Sequence, residues 1–122
     1  MAQIDRNLVA IGLLWLVLGM LLGFYMGAAG DNQLLQVHVA MLMGGFVVIT
    51  IYGVLYRLWP AMKVGALARA QFWIAVISSI GITAGTVQRA LDDGIVIVAS
   101  ASALAIVGAI LMGWLFMTRS AA

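Results

Sequence analysis

"LLQVHVAMLMGGFVVITIYGVLYRLWPAM", residues 34–62, decides the fold. Between Leu34 and Leu58 the run is apolar for more than the roughly 20 residues that a helix needs to cross a bilayer, and it shows no period-two alternation of the kind a half-buried strand carries. Within lipid every backbone amide has to be satisfied inside its own segment, so an apolar run of this length reads as a helix. The same run contains His38, the one histidine of the chain. An ionisable group at membrane depth is costly, which makes His38 the first functional candidate.

The rest of the chain has the same character. Of its 122 residues, 66% are hydrophobic and 8% charged, with a mean hydropathy of +1.18, far from the balance of a soluble domain. Polar and glycine clusters divide it into four apolar segments, Leu8 to Gly27, Gln33 to Leu58, Ala70 to Val87 and Ile95 to Met117. The expected fold is all-α: one domain, residues 1–122, forming a four-helix transmembrane bundle in the lipid bilayer. Pro60 and Gly65 mark the turn after the second helix, Asp31 or Asn32 is placed to cap that helix, and Asp92 or Asp93 to cap the fourth. "GAAG" at residues 27–30 resembles a signal-cleavage site, but the run before it is long and its flank weakly basic, so it reads as a spanning helix.

Charge gives the expected orientation. Arg6, Arg57, Lys63, Arg69 and Arg119 fall on one side of a four-helix arrangement and Arg89 on the other, which places both termini in the cytoplasm. The second helix then runs from outside to inside, with His38 about 7 Å below its outer end at 1.5 Å per residue. Down the face of His38, at spacings of three, four and seven, come Met41, Leu42, Gly45, Ile49, Tyr52 and Tyr56. Two roles are open to the histidine: a neutral imidazole bonded to a neighbouring carbonyl or water, or a ligand to a metal or cofactor. Gly45 has two as well, making room for the edge of a flat macrocycle or letting a neighbouring helix approach. No cysteine is present, so thiolate sites and disulfides are excluded, and ten charged residues give no basis for a nucleic-acid partner.

The block "VHVAMLMGGFVVITIYGVLYRLWPA", with "FYMGAAGD" before it and "ARAQFW" after it, resembles the short four-helix membrane proteins related to subunit I of the heme-copper (cytochrome c) oxidases. That family carries V-H-x-H-x-N-x-x-G-W followed by G-x-x-Y-R-x-x-P. Here His38 matches the first histidine, Gly45 the glycine, Phe46 the tryptophan, and Gly53, Tyr56, Arg57 and Pro60 the ending; Ala40 stands at the second histidine position and Leu42 at the asparagine position.

This resemblance implies a bacterial inner-membrane, multi-pass protein in which His38 binds heme b, noncovalently because there is no cysteine. One chain would correspond to one of three four-helix arcs, so that a homotrimer rebuilds a twelve-helix core, and a redox partner protein is expected. Arg89 lies where the oxidases place arginines on heme propionates; its alternative is a surface pair with Asp92. A second iron ligand would come from a methionine such as Met41 or Met43, from a second copy's histidine across a twofold axis, or not at all.

Other readings stay open beside the heme. His38 with Met26, Met41 and Met43 offers ligands suited to Cu(I), for a copper-binding or transport module, and a cofactor-free structural or accessory subunit is the third. Catalysis has little basis: nothing supplies a second metal beside a heme, and the four Asp residues fall in loops or at the terminus. Ser78, Ser79, Thr83 and Thr86 are expected to bond carbonyls of their own helix or a neighbour's. Gly19, Gly23 and Gly27 on the first helix, Gly81 and Gly85 on the third, and Ala101, Ala105 and Gly108 on the fourth suit close helix contacts, within one chain or between copies.

Overall fold

A computed structural model describes residues 3–120. It is all-helical, with α1 Ile4–Ala29, α2 Leu35–Leu58, α3 Ala66–Asp92 and α4 Val96–Arg119, each long and apolar enough to cross a membrane. A 3-10 turn, Pro60–Lys63, and Gly65 at φ 92° form the α2–α3 connection. The four expected segments are therefore present, extended by a few residues at most ends.

The helices pack as neighbours in chain order. α1 with α2 and α3 with α4 make the closest antiparallel pairs, α2 joins the two through α3, and α1 does not close the ring against α4. Lipid tails are as apolar as the side chains, so the helices gain from close backbone approach and polar ties rather than from burial against water. Small residues provide the approach. A Cβ built on Gly19 would meet Leu42 at 2.7 Å, one on Gly23 His38 Cε1 at 2.6 Å, one on Gly81 Ala101 Cβ at 2.7 Å, and one on Gly85 Val98 Cα at 2.6 Å. These expected small-residue positions work inside one chain, whereas Gly27 faces open space.

Two expectations are corrected. α2 is not a continuous α-helix: Ala40–Val47 is π-helical, and the Val48 N–H reaches back five residues to the Met43 carbonyl. The effect is that of one inserted residue, which turns everything after it by about 100°. His38, Leu42 and Gly45 face α1, but beyond the π segment the α1 contacts pass to Thr50, which touches Gly12, to Gly53, which touches Val9, and to Arg57, which pairs with Asp5. Tyr52 and Tyr56, expected on the histidine's face, turn instead toward α3.

The second correction concerns caps. Neither α2 nor α4 has a side-chain cap; Leu34 and Ile95 occupy the cap positions. Asp31 Oδ1 accepts the Gln33 N–H at 2.9 Å and Asp92 Oδ1 the Gly94 N–H at 2.9 Å, so these carboxylates close turns within their loops. Asp5, at the terminus as expected, lies in the first turn of α1 and is only 3% exposed. Arg57 Nη1 stands 3.1 Å and Lys63 Nζ 3.5 Å from its two oxygens.

The buried cluster sits at this basic end, where Ile4, Leu8, Ile49, Tyr56, Phe72 and Leu115 meet. Tyr56 OH donates to Gln71 Oε1 at 2.9 Å, and Gln71 Nε2 to the Gly108 carbonyl at 3.5 Å, tying α2, α3 and α4. Arg119 donates to the Val64 carbonyl, and Trp59 packs edge-on against Phe116 with ring centres 5.0 Å apart.

Because the chain lacks cysteine, paired cysteines read the α1–α2 register directly. Val9→Cys with Gly53→Cys is expected to cross-link under mild oxidation in membranes, and Val9→Cys with Tyr52→Cys is not. The reverse pattern would mean that α2 keeps an unbroken α-helical face.

Candidate functional site

His38 sits on the first turns of α2, immediately before the π segment, half-buried against α1. Its Nδ1 is 2.8 Å from the Gly19 carbonyl oxygen. A carbonyl only accepts, so in a neutral ring Nδ1 carries the proton and Nε2 presents its lone pair. Gly23, one turn along α1, admits the ring: an alanine methyl there would fall within 3.3 Å of three imidazole atoms. Two glycines thus seat the histidine, Gly23 by its missing side chain and Gly19 by its backbone oxygen.

The other expected residues divide. Met41 is half-buried at the same contact, its Cβ 3.4 Å from a Cβ built on Gly19. Met26 is buried and Met43 is 56% exposed. Arg89 is exposed in the last turn of α3; Asp92 is engaged by Gly94, and no ion pair joins the two among the described residues. Gly45 is buried, and the space its side chain would take is filled by Trp15, whose Cγ lies 2.5 Å from a Cβ built there. Its notch therefore serves helix packing, and even an added methyl would cost about 1–3 kcal/mol by overpacking.

Tested against a heme, the donor chemistry fits at one atom: Nε2 of His38 has no hydrogen-bond partner among the described residues, and the ring is oriented by an N–H to a backbone carbonyl, the support that ligating histidines commonly have. The Gly45 notch does not fit, since a macrocycle edge would have to displace the Trp15 indole, itself held by a hydrogen bond from Nε1 to Ser79 Oγ at 3.2 Å. No group of three or more His, Cys, Asp or Glu side chains is arranged for a metal ion among the described residues.

Sequence reasoning missed Trp15, Thr50 and Gln71. Trp15 bridges α1 to α3, and Gln71, fully buried, is the junction of three helices. Gln71 carried a signal, as an uncharged amide in the apolar stretch "QFWIAVI", where a polar group needs a partner. Thr50 Oγ1 is buried without a hydrogen-bond partner, close to Gly12. The α3 hydroxyls behave as expected: Ser78 bonds the Ala75 carbonyl, Ser79 that of Val76, Thr83 that of Ser79 and Thr86 that of Thr83, at 2.7–3.0 Å. Between α2, α3 and α4 a cavity of about 60 Å³ is lined by Tyr52 and Ser78 together with Gly44 and Gly108.

The tautomer is directly measurable. Nitrogen-15 spectra of histidine-labelled protein in bilayers are expected to place the proton of the neutral ring on Nδ1, and Gly23→Leu to disturb that pattern by expelling the ring. A ring protonated at Nε2 alone would contradict the Gly19 contact.

Comparison with known protein families, with curated proteins and with solved structures returns no match to this chain.

Proposed function

We propose that this chain is a b-type heme protein of the bacterial inner membrane, serving electron transfer or the binding of heme or a gas ligand. Both termini face the cytoplasm, and His38 Nε2 is an axial ligand of the iron. The observation that supports the reading is the hydrogen bond from His38 Nδ1 to the Gly19 carbonyl, which orients the ring, fixes the proton and makes the free nitrogen a better donor. When bound, the heme supplies the redox or gas-binding chemistry. The protein's part is to hold the imidazole between Gly19 and Gly23, to shield it with α1, and to offer Met41 beside it and Arg89 at the same end of the bundle.

A homotrimer is the proposed assembly. α2 presents exposed apolar side chains clear of its basic end, Val39, Met43 and Ile51, an outer face suited to meeting its symmetry mates at a central axis. A redox partner protein would complete an electron-transfer role.

The second reading, a cofactor-free structural subunit, is favoured by one observation: Trp15 fills the notch at Gly45. Visible spectra of detergent-purified protein, oxidised and reduced, separate the two. A stoichiometric Soret band is expected, abolished or greatly reduced by His38→Ala while the oligomer survives. No His38-dependent band after reconstitution with excess heme would leave the structural reading, or a copper module if metal analysis then finds copper bound through His38 and the methionines.

The orientation has its own test. Reporter fusions at the C-terminus and in the Lys63 loop are expected to report the cytoplasm, because five of the six basic side chains gather at that end. Periplasmic signals there would reverse the depth assigned to His38.

A further inference from the structure

At the basic end α1 and α2 leave an open groove of about 530 Å³. Its walls are apolar, from Val9, Leu13, Val54 and Leu58, and its charged end carries Arg6 and Arg57 together with Asp5. We propose that this groove holds one anionic phospholipid, its phosphate on the two guanidinium groups and an acyl chain along the apolar wall. The proposal is independent of any cofactor at His38, which lies at the opposite end of the helices.

Charge complementarity commits the groove to this occupant. Arg6, Arg57, Lys63, Arg69 and Arg119 share this end, and Asp5 is the only acidic side chain near them in the chain. Asp5 is buried and already engaged by Arg57 and Lys63. Arg6 is exposed and has no side-chain ion pair or hydrogen bond among the described residues, and the Arg57 side chain stays 77% exposed although it touches Asp5. The excess is positive, it stands at the charged end, and a phosphate diester is the anion a bilayer supplies there.

Depth agrees with charge. Arg6 is in the first turns of α1 and Leu13 lies two turns further along, about 10 Å into the membrane at 1.5 Å per residue, so charge meets the headgroup level and the wall meets the acyl chain. Leu13 is 48% exposed, Val54 44% and Leu58 61%; these side chains are free to line an alkyl chain. Beside the groove, Gly53 brings α2 against Val9 and Arg57 reaches across to Asp5, so a close helix contact and an ion pair fix its two walls.

The test is lipid retention by native mass spectrometry of the full chain, with phosphatidylglycerol and phosphatidylcholine of identical acyl chains added in equal amounts. One phosphatidylglycerol per chain is expected, held in preference to phosphatidylcholine. Arg6→Gln should weaken its retention about five-fold, the scale of one basic side chain at an anionic surface. Leu13→Trp, which fills the groove, should lower retention of both lipids, and Arg89→Gln at the other end should leave retention unchanged. Glycerol phosphate, with the charge but no acyl chain, should not compete. Equal retention of the two lipids, no effect of Arg6→Gln, an equal effect of Arg89→Gln, or competition by glycerol phosphate would each overturn the proposal.

Discussion

A helix that must satisfy its backbone inside lipid can still shift its face, and α2 does so through the π segment Ala40–Val47. One residue more than α-helical winding requires is absorbed there without leaving lipid-exposed amides. The first half of α2 lays His38, Leu42 and Gly45 on α1, while the second half sends Thr50, Gly53 and Arg57 to α1 and frees Tyr56 to reach Gln71. Without that turn, the contacts at Gly19 and at Asp5 could not both be made by one straight helix. The histidine contact and the charge pair, at opposite ends of α1, are compatible because the π segment lies between them.

The two ends of the bundle are built differently. At the basic end a salt-bridged Asp5, the Tyr56–Gln71–Gly108 chain and the aromatic contact of Trp59 with Phe116 surround the buried cluster. At the other end the ties are one imidazole–carbonyl bond, small-residue contacts and loops closed by their own aspartates. Each buried hydrogen bond of this kind contributes on the order of 1 kcal/mol. The end that carries His38 is therefore the less heavily tied, and among the described residues Nε2 of that ring has no hydrogen-bond partner there.

Much of this was legible in the sequence. The four helices, their approximate limits, the turn at Pro60 and Gly65, and the use of hydroxyls on α3 follow from apolar length and local chemistry, which act over a few residues. The face of α2 did not follow, because periodicity assumes one winding and the residues Ala40–Val47 carry no composition that separates a π segment from an α-helix. The same limit hid Trp15: whether Gly45 admits a cofactor or an indole depends on which side chain of another helix stands opposite, and spacing within α2 contains no such information. Asp5 looked terminal because it is fifth in the chain, yet Arg57 and Lys63, more than fifty residues on, determine that it is buried and paired.

The pairing of α1 with α2 and of α3 with α4 also bears on biogenesis. A lone α1 would carry Asp5 into the membrane surface uncompensated, with its glycine-lined side open to lipid. When α2 is present, Arg57 pairs with that carboxylate and His38 reaches the Gly19 carbonyl, while the Trp15 and Tyr56 polar hydrogens find their acceptors only on α3. Among the described residues the second hairpin has no charge pair between its helices; it packs through Gly81, Gly85 and Gly108 and joins the first by Trp15 to Ser79 and Tyr56 to Gln71. The first hairpin thus holds its own ion pair and leaves two polar hydrogens for the second, so each hairpin completes the hydrogen bonding of the other.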